Sequence, residues 1–199
     1  MFKFLLAVII LIGSAAAQGK TIVVLGDSIS ASHGIEVQQG WVALLQQKLN
    51  KEGKGYSVIN ESVSGETTAG GVARINHMLE KYKPSIVLLE LGANDGLRGL
   101  SPKKMKSNLE EIIKRSQKAG AKVLLLSMRI PPNYGKRYTE MFYQVYPALS
   151  EQLTVQFVPF ILKDVALIAE LMQKDGLHPN AKAQPMIVDK VWEYLEFLL

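Results

Sequence analysis

With 199 residues, 48% of them hydrophobic, the chain is long enough to enclose one sizeable core and too short for two ordinary domains. Its formal charge of +5 is mild and its lysines are scattered (Lys103, Lys104, Lys106, Lys114, Lys118) without interleaved aromatic residues. That pattern argues against a nucleic-acid groove and leaves at most a transient contact with a membrane surface or lipid. The absence of cysteine excludes both a disulfide framework and a lipid-modified N-terminal cysteine, so stability must come from the core.

The first seventeen residues read as an export signal. Lys3 supplies the positive charge, Phe4 to Gly13 the apolar run, and Ser14-Ala15-Ala16-Ala17 the small residues at a cleavage site after Ala17. The run is short of the roughly 20 apolar residues of a membrane span. Losing Lys3 with the signal lowers the formal charge by one, to +4. Residues 18–199 are then expected to form a single domain.

In that domain Thr21-Ile22-Val23-Val24-Leu25 is a β-branched, apolar run that ends at Gly26-Asp27-Ser28. Such a run predicts a strand buried on both faces, with the glycine turning the chain at its end. An amphipathic helix follows from Gly40-Trp41 to about Leu49, then a strand over Tyr56 to Asn60 and a polar loop through Gly65. Gly70-Gly71 are expected to precede a helix carrying Val72, Ile75, Met78 and Leu79 on one face and ending near Pro84. Ser85 to Leu91 predicts a third strand, broken by the turn-like Gly92-Ala93-Asn94-Asp95-Gly96.

Ser101-Pro102 reads as the cap and first residue of the next helix, closed by Gly120. Ala121 to Met128 predicts a fourth strand, and the proline-rich stretch from Ile130 to Gly135 a loop. One helix is expected from Arg137 to Leu153, a short fifth strand over Val155 to Val158, and a short helix or helical turn from Val165 to Met172. A last helix runs to about Leu198. Alternating strands and helices predict an α/β fold of three layers, with about five parallel strands covered on both faces.

In a parallel sheet all strands end at one edge, so the loops carrying Ser28, Gly65, Asn94 and the pair Asp175, His178 can meet there. A serine hydroxyl is a poor nucleophile until a base takes its proton, and that base must be held in one tautomer by a third group. Asp175-x-x-His178 can supply both. Attack on a carbonyl then needs donors for the oxyanion, and the N–H groups of Ser28 and Gly65 with the Asn94 amide are the natural set. Each segment alone is an ordinary turn or helix start; together, each after a different strand, they point to one site. His77 falls within a helix, and His33 has no evident carboxylate partner.

Gly26-Asp27-Ser28-Ile29, Gly65, Gly92-Ala93-Asn94-Asp95 and Asp175-x-x-His178-Pro179 resemble, in order and spacing, the four sequence blocks of the SGNH (GDSL) hydrolases. The resemblance covers essentially the whole domain, with Ile29 in place of the usual leucine. Leu91 to Gly99 and Pro132 to Tyr138 further resemble the branch that contains periplasmic acyl-CoA thioesterases with lysophospholipase and arylesterase activity. It implies a flavodoxin-like sheet, Ser28 as nucleophile, His178 as base, Asp175 as its orienter, and Ser28, Gly65 and Asn94 as oxyanion donors. Asp27 would shape the turn.

No cofactor and no metal are implied; the expected partner is a small acyl ester or thioester as substrate, and the protein is expected to be a monomer. Leu97, Leu100, Ile130 to Tyr134, and Phe142, Tyr143 and Tyr146 are candidate walls of an acyl groove; Phe142 and Tyr146, one helical turn apart, suit a core equally well. A carbohydrate acetylesterase is the alternative within the same machinery. A phosphate-binding module is disfavoured because no glycine-rich phosphate loop is present and Asp27 would repel an anion.

Overall fold

The computed structural model describes residues 20–199; the expected export signal lies outside them. The elements that build the sheet are β1 (Thr21–Gly26), α1 (Trp41–Lys51), β2 (Ser57–Asn60), α2 (Thr68–Tyr82), β3 (Ile86–Glu90) and α3 (Ala93–Leu97). They continue with α4 (Pro102–Lys118), β4 (Lys122–Leu126), α5 (Lys136–Tyr143), α6 (Val145–Leu153), β5 (Gln156–Val158) and α7 (Gln184–Leu195). All five strands are parallel, in the order β2-β1-β3-β4-β5.

The layering follows from this order and from the right-handedness of parallel crossovers. The chain steps one way from β1 to β2 through α1, then back across to β3, β4 and β5 through α2, α4 and α6. The reversal puts α1 on one face and the later helices on the other. Accordingly α1 packs with α7, while α4 packs with both α2 and α6. The central strands β1 and β3 are buried on both faces, as their continuous apolar runs require, whereas edge strand β2 is only half-buried.

Several local expectations are corrected. α2 begins at Thr68, so Gly70 and Gly71 lie inside it; a Cβ on Gly71 would stand 2.5 Å from Leu91 Cδ1, which is why close helix–sheet packing takes glycine there. The Asn94 segment is a short helix, α3, rather than a turn. Pro102 opens α4 as expected, but the Ser101 side chain makes no capping bond. The span 136–153 is two helices meeting at Gln144, because Pro147 has no N–H to donate to the Tyr143 carbonyl. Between Ile161 and Leu171 the chain forms successive turns, with a 3₁₀ turn at Ala169–Leu171 in place of a helix. Phe142 and Tyr146 are core residues, 1% and 0% exposed, packed edge-to-face against each other.

Among the described residues no helix is long and apolar enough to cross a membrane.

Candidate active site

Strands β1 and β3 are neighbours whose outgoing connections leave toward opposite faces, so a crevice opens between their C-terminal ends. Ser28 follows β1 and Asn94 follows β3. The loop after β2 is tied to the same rim, since the Glu61 N–H donates to Val24 O (2.9 Å) and the Val63 N–H to Gly26 O (3.0 Å). Gly65 sits in this loop with φ +80°, a left-handed conformation that glycine adopts without strain.

His178 arrives from the loop before α7. Its Nε2 lies 2.9 Å from Ser28 Oγ and its Nδ1 2.7 Å from Asp175 Oδ2. With the carboxylate accepting from Nδ1–H, Nε2 is left as the acceptor for the serine hydroxyl. Asp175 is itself pinned, because its Oδ1 accepts from the N–H groups of Leu177 (2.9 Å) and His178 (3.0 Å). The His178 backbone N–H, then its ring, then the Leu177 N–H hold the Asp175 carboxyl well below the usual carboxylate range. The Asp175-x-x-His178 spacing thus makes a closed turn in which one residue orients the other.

Among the described residues the N–H groups of Ser28 and Gly65 have no hydrogen-bond partner. The Asn94 amide nitrogen donates to Asp27 Oδ2 at 3.2 Å, which holds the amide beside the residue preceding Ser28 and leaves its second hydrogen available. Ser28, Gly65, Asp175 and His178 on loops or turns and Asn94 at the start of α3 therefore all lie on one rim. His77 is exposed on α2, away from the rim. His33 lies against His178, ring centroids 4.5 Å apart, but the ring bonded to Ser28 and Asp175 is that of His178.

Two supporting residues, Arg98 and Glu90, escaped sequence reasoning, and a third, Asp27, was expected only to shape the turn. Arg98 Nη2 donates to Gly65 O (2.8 Å), binding the end of α3 to the Gly65 loop. Asp27 is fully buried and, besides Asn94, accepts from the Ile29 N–H (3.0 Å). Glu90, also fully buried, accepts from Ser30 Oγ (2.7 Å) and the Asp27 N–H (3.2 Å). A charged residue within the apolar run of the third strand was the visible signal for the last.

Of the candidate groove walls, Leu97 is partly exposed and Tyr134 exposed, joined by the bond from Tyr134 Oη to Leu97 O (2.9 Å). Ile130 is 7% exposed and packs with Phe142 under Gly96 of α3. A cleft of about 510 Å³ takes in Tyr134 and Tyr138. A wider one of about 840 Å³ between α4 and α5 is lined in part by Met141 and Val145, and neither includes Ser28 or His178.

Residues 24–184 match the GDSL-like Lipase/Acylhydrolase family, a span that includes the Ser28, Gly65, Asn94, Asp175 and His178 positions. The chain belongs to that family. It is therefore an ester hydrolase of the SGNH type. It is 48% identical to Esterase TesA of Pseudomonas aeruginosa over 98% of this chain and 96% of that protein. It is 45% identical to an arylesterase of Vibrio mimicus, over 98% of each. Thioesterase 1/protease 1/lysophospholipase L1 of Escherichia coli K12 is 40% identical over 96% of this chain and 90% of its own length.

Among solved structures, TesA superposes with a TM-score of 0.88 at 49% identity, covering 90% of this chain and 99% of its own. The psychrotrophic esterase EstA from Pseudoalteromonas, inhibited by monoethylphosphonate, gives 0.86 at 46% identity, covering 89% and 97%.

Proposed function

We propose that this ester hydrolase works through an acyl-enzyme formed on Ser28. The observation that carries the reading is the continuous relay Asp175–His178–Ser28, with contacts of 2.7 and 2.9 Å. Ser28 Oγ attacks the carbonyl carbon as its proton passes to His178 Nε2, and Asp175 steadies the imidazolium. The carbonyl oxygen becomes an oxyanion and accepts from the Ser28 and Gly65 N–H groups and Asn94 Nδ2. Collapse of the tetrahedral intermediate expels the alcohol or thiol, which takes the proton from His178. Water, deprotonated by the same histidine, then releases the carboxylic acid and restores Ser28.

The substrates are carboxylic esters and thioesters with an acyl chain: aryl esters, lysophospholipids and acyl-CoA thioesters. The names of the relatives support this range. Leu97, Ile130 and Tyr134 form the acyl-contacting side, with Leu97 and Tyr134 at the surface and Ile130 behind them. The lysine-headed apolar segment before Ser14 to Ala17 supports export and cleavage near Ala17.

Ser28→Ala and His178→Ala are each expected to lower kcat by about 10⁴-fold or more in the folded protein, because the triad acts as a unit. The assay is a series of p-nitrophenyl esters of increasing acyl length. Either variant keeping activity within about tenfold of the parent would sink the triad.

A further inference from the structure

Beneath the nucleophile turn lies a carboxyl group that the reaction scheme does not use. Glu90, the last residue of β3, pairs in register with Gly26 of β1 and is fully buried. Its Oε2 accepts from Ser30 Oγ (2.7 Å) and from the Asp27 N–H (3.2 Å), so one oxygen spans both sides of Ser28. Gly26 makes room for this: a Cβ there would stand 2.8 Å from Glu90 Oε2 and 2.7 Å from Ser30 Oγ. The glycine that ends β1 is thus required by the buried carboxyl as well as by the turn.

Asp27 is the second carboxyl of the cluster. Its Oδ1 accepts from the Ile29 N–H (3.0 Å) and its Oδ2 from Asn94 Nδ2 (3.2 Å), so it must be an acceptor on both sides. Glu90 Oε1, by contrast, is buried with no hydrogen-bond partner among the described residues. Two carboxylates sharing one dry site cannot both ionise at low cost, and the one with an oxygen that accepts no bond, Glu90, is the one to keep a proton.

We propose that Glu90 is a positioning residue of the oxyanion site: as a neutral carboxyl group it clamps the Asp27–Ser28 turn from below and leaves Asp27 as the carboxylate that orients the Asn94 amide. This rests on the reading of Asn94 as an oxyanion donor.

The surrounding charges agree with that division. Burial, then the charge of Asp27, pushes Glu90 well above the usual carboxyl range. Burial also raises Asp27, to about 6, opposed by the Ile29 N–H, the charge of His178, the neighbouring Glu90 carboxyl and the Asn94 amide. Tyr146 from α6 donates its hydroxyl to Leu91 O (3.0 Å) and is held neutral by burial and by Glu90, Asp27 and Asp95. The titratable groups of this cluster are therefore Asp27 beside Glu90 and Tyr146 on α6, with Asp95 on α3 acting on Tyr146 and His178 on Asp27. Loss of the Glu90 proton would set a second negative charge against Asp27 and loosen the turn and the amide together.

The test compares Glu90→Leu and Glu90→Gln with the parent and with Asn94→Ala, following kcat, KM and the pH profile of kcat. Glu90→Leu is expected to lower kcat by about 10–100-fold with KM little changed, the mark of a group acting in the transition state. Glu90→Gln keeps a neutral acceptor for Ser30 and Asp27 and is expected to recover kcat to within about threefold of the parent. It should also remove the alkaline fall that loss of the Glu90 proton produces in the parent. In an Asn94→Ala background Glu90→Leu should cost no more than about threefold further, since both changes remove one coupled interaction.

A glutamine variant as impaired as the leucine variant, or an alkaline limb shared by parent and glutamine variant, would overturn the proposal. So would fully additive losses with Asn94→Ala. Should Glu90→Leu fail to fold, the pH profile of Glu90→Gln alone decides. An Asn94→Ala variant with unchanged kcat would instead remove the oxyanion reading underneath.

Discussion

Asn94 shows how a side chain of modest polarity is made into a directed donor. One of its amide hydrogens goes to Asp27 Oδ2 at 3.2 Å, which selects one amide orientation and, on the oxyanion reading proposed above, leaves the other hydrogen for a developing negative charge. Such a bond is worth more to the oxyanion than to the ground-state carbonyl, so its loss should fall on kcat. Asn94→Ala is expected to lower kcat by roughly 10²–10³ with little change in KM. A loss confined to KM in the same ester series would make Asn94 a substrate-binding residue instead. Asp175 plays the parallel part for His178, since two backbone N–H groups fix its carboxylate before the imidazole reaches it.

The element that carries Asn94 cannot hold itself. A helix of five residues such as α3 has too few hydrogen bonds to offset its own ordering. It is held from outside: Asp95, 3% exposed, accepts from Thr68 Oγ1 (2.6 Å) and the Thr68 N–H (2.8 Å) at the start of α2. Asn108 of α4 donates to the Thr68 hydroxyl (3.0 Å), so three helices meet at one threonine. On the other side Tyr138 Oη reaches Leu100 O (2.8 Å) and Gly96 O (3.2 Å).

Asp95→Asn would turn an amide hydrogen toward one of the two Thr68 donors and leave a buried donor without an acceptor. The expected cost is about 1–3 kcal/mol. At about 2–4 °C per kcal/mol in a chain of this size, thermal unfolding should show a fall of several degrees. An unchanged Tm would mean that the network does not support α3.

For the molecule as a whole the site comes at a cost in stability, because the turn at the β1/β3 crevice is built over two buried carboxyls. Asp27 and Glu90 both have folded-state pKa values above their ordinary ones. Below about pH 4 both groups are protonated folded or unfolded and contribute no difference. As pH rises from there through about 6 for Asp27, and higher for Glu90, the unfolded chain releases protons that the folded chain retains, so stability is lost. Asp175 works in the opposite sense, its contribution being present above pH 4 and lost in acid, but it is partly exposed and the effect is correspondingly small.

A comparison with Glu90→Gln isolates the buried pair. Its stability relative to the parent should rise as pH climbs above about 4, where the unfolded chain's glutamate ionises and the buried Glu90 keeps its proton. Melting temperatures of the two proteins across that range are the measurement, and a constant difference would mean that Glu90 ionises normally in the fold.

Local pattern was enough for the parts of this protein that local physics governs. Apolar runs marked β1, β3 and β4 to within about two residues, the first two ended by glycine, and alternation with helices required a parallel sheet, hence one rim on which Ser28, Gly65, Asn94 and His178 had to gather. The Asp175-x-x-His178 turn was equally legible, because its bonds span only three residues.

What the chain does through long-range packing was not visible locally. α3 is helical because Thr68 and Asn108 hold it, α2 runs through two glycines because Leu91 presses against Gly71, and Phe142 and Tyr146 are core because β3 and α3 lie above them. Glu90 is the sharpest instance. Its place in an apolar strand is plain in the sequence, but only the neighbouring strand's glycine and the two sides of the Ser28 turn, 60 and 63 residues away along the chain, make it part of the site.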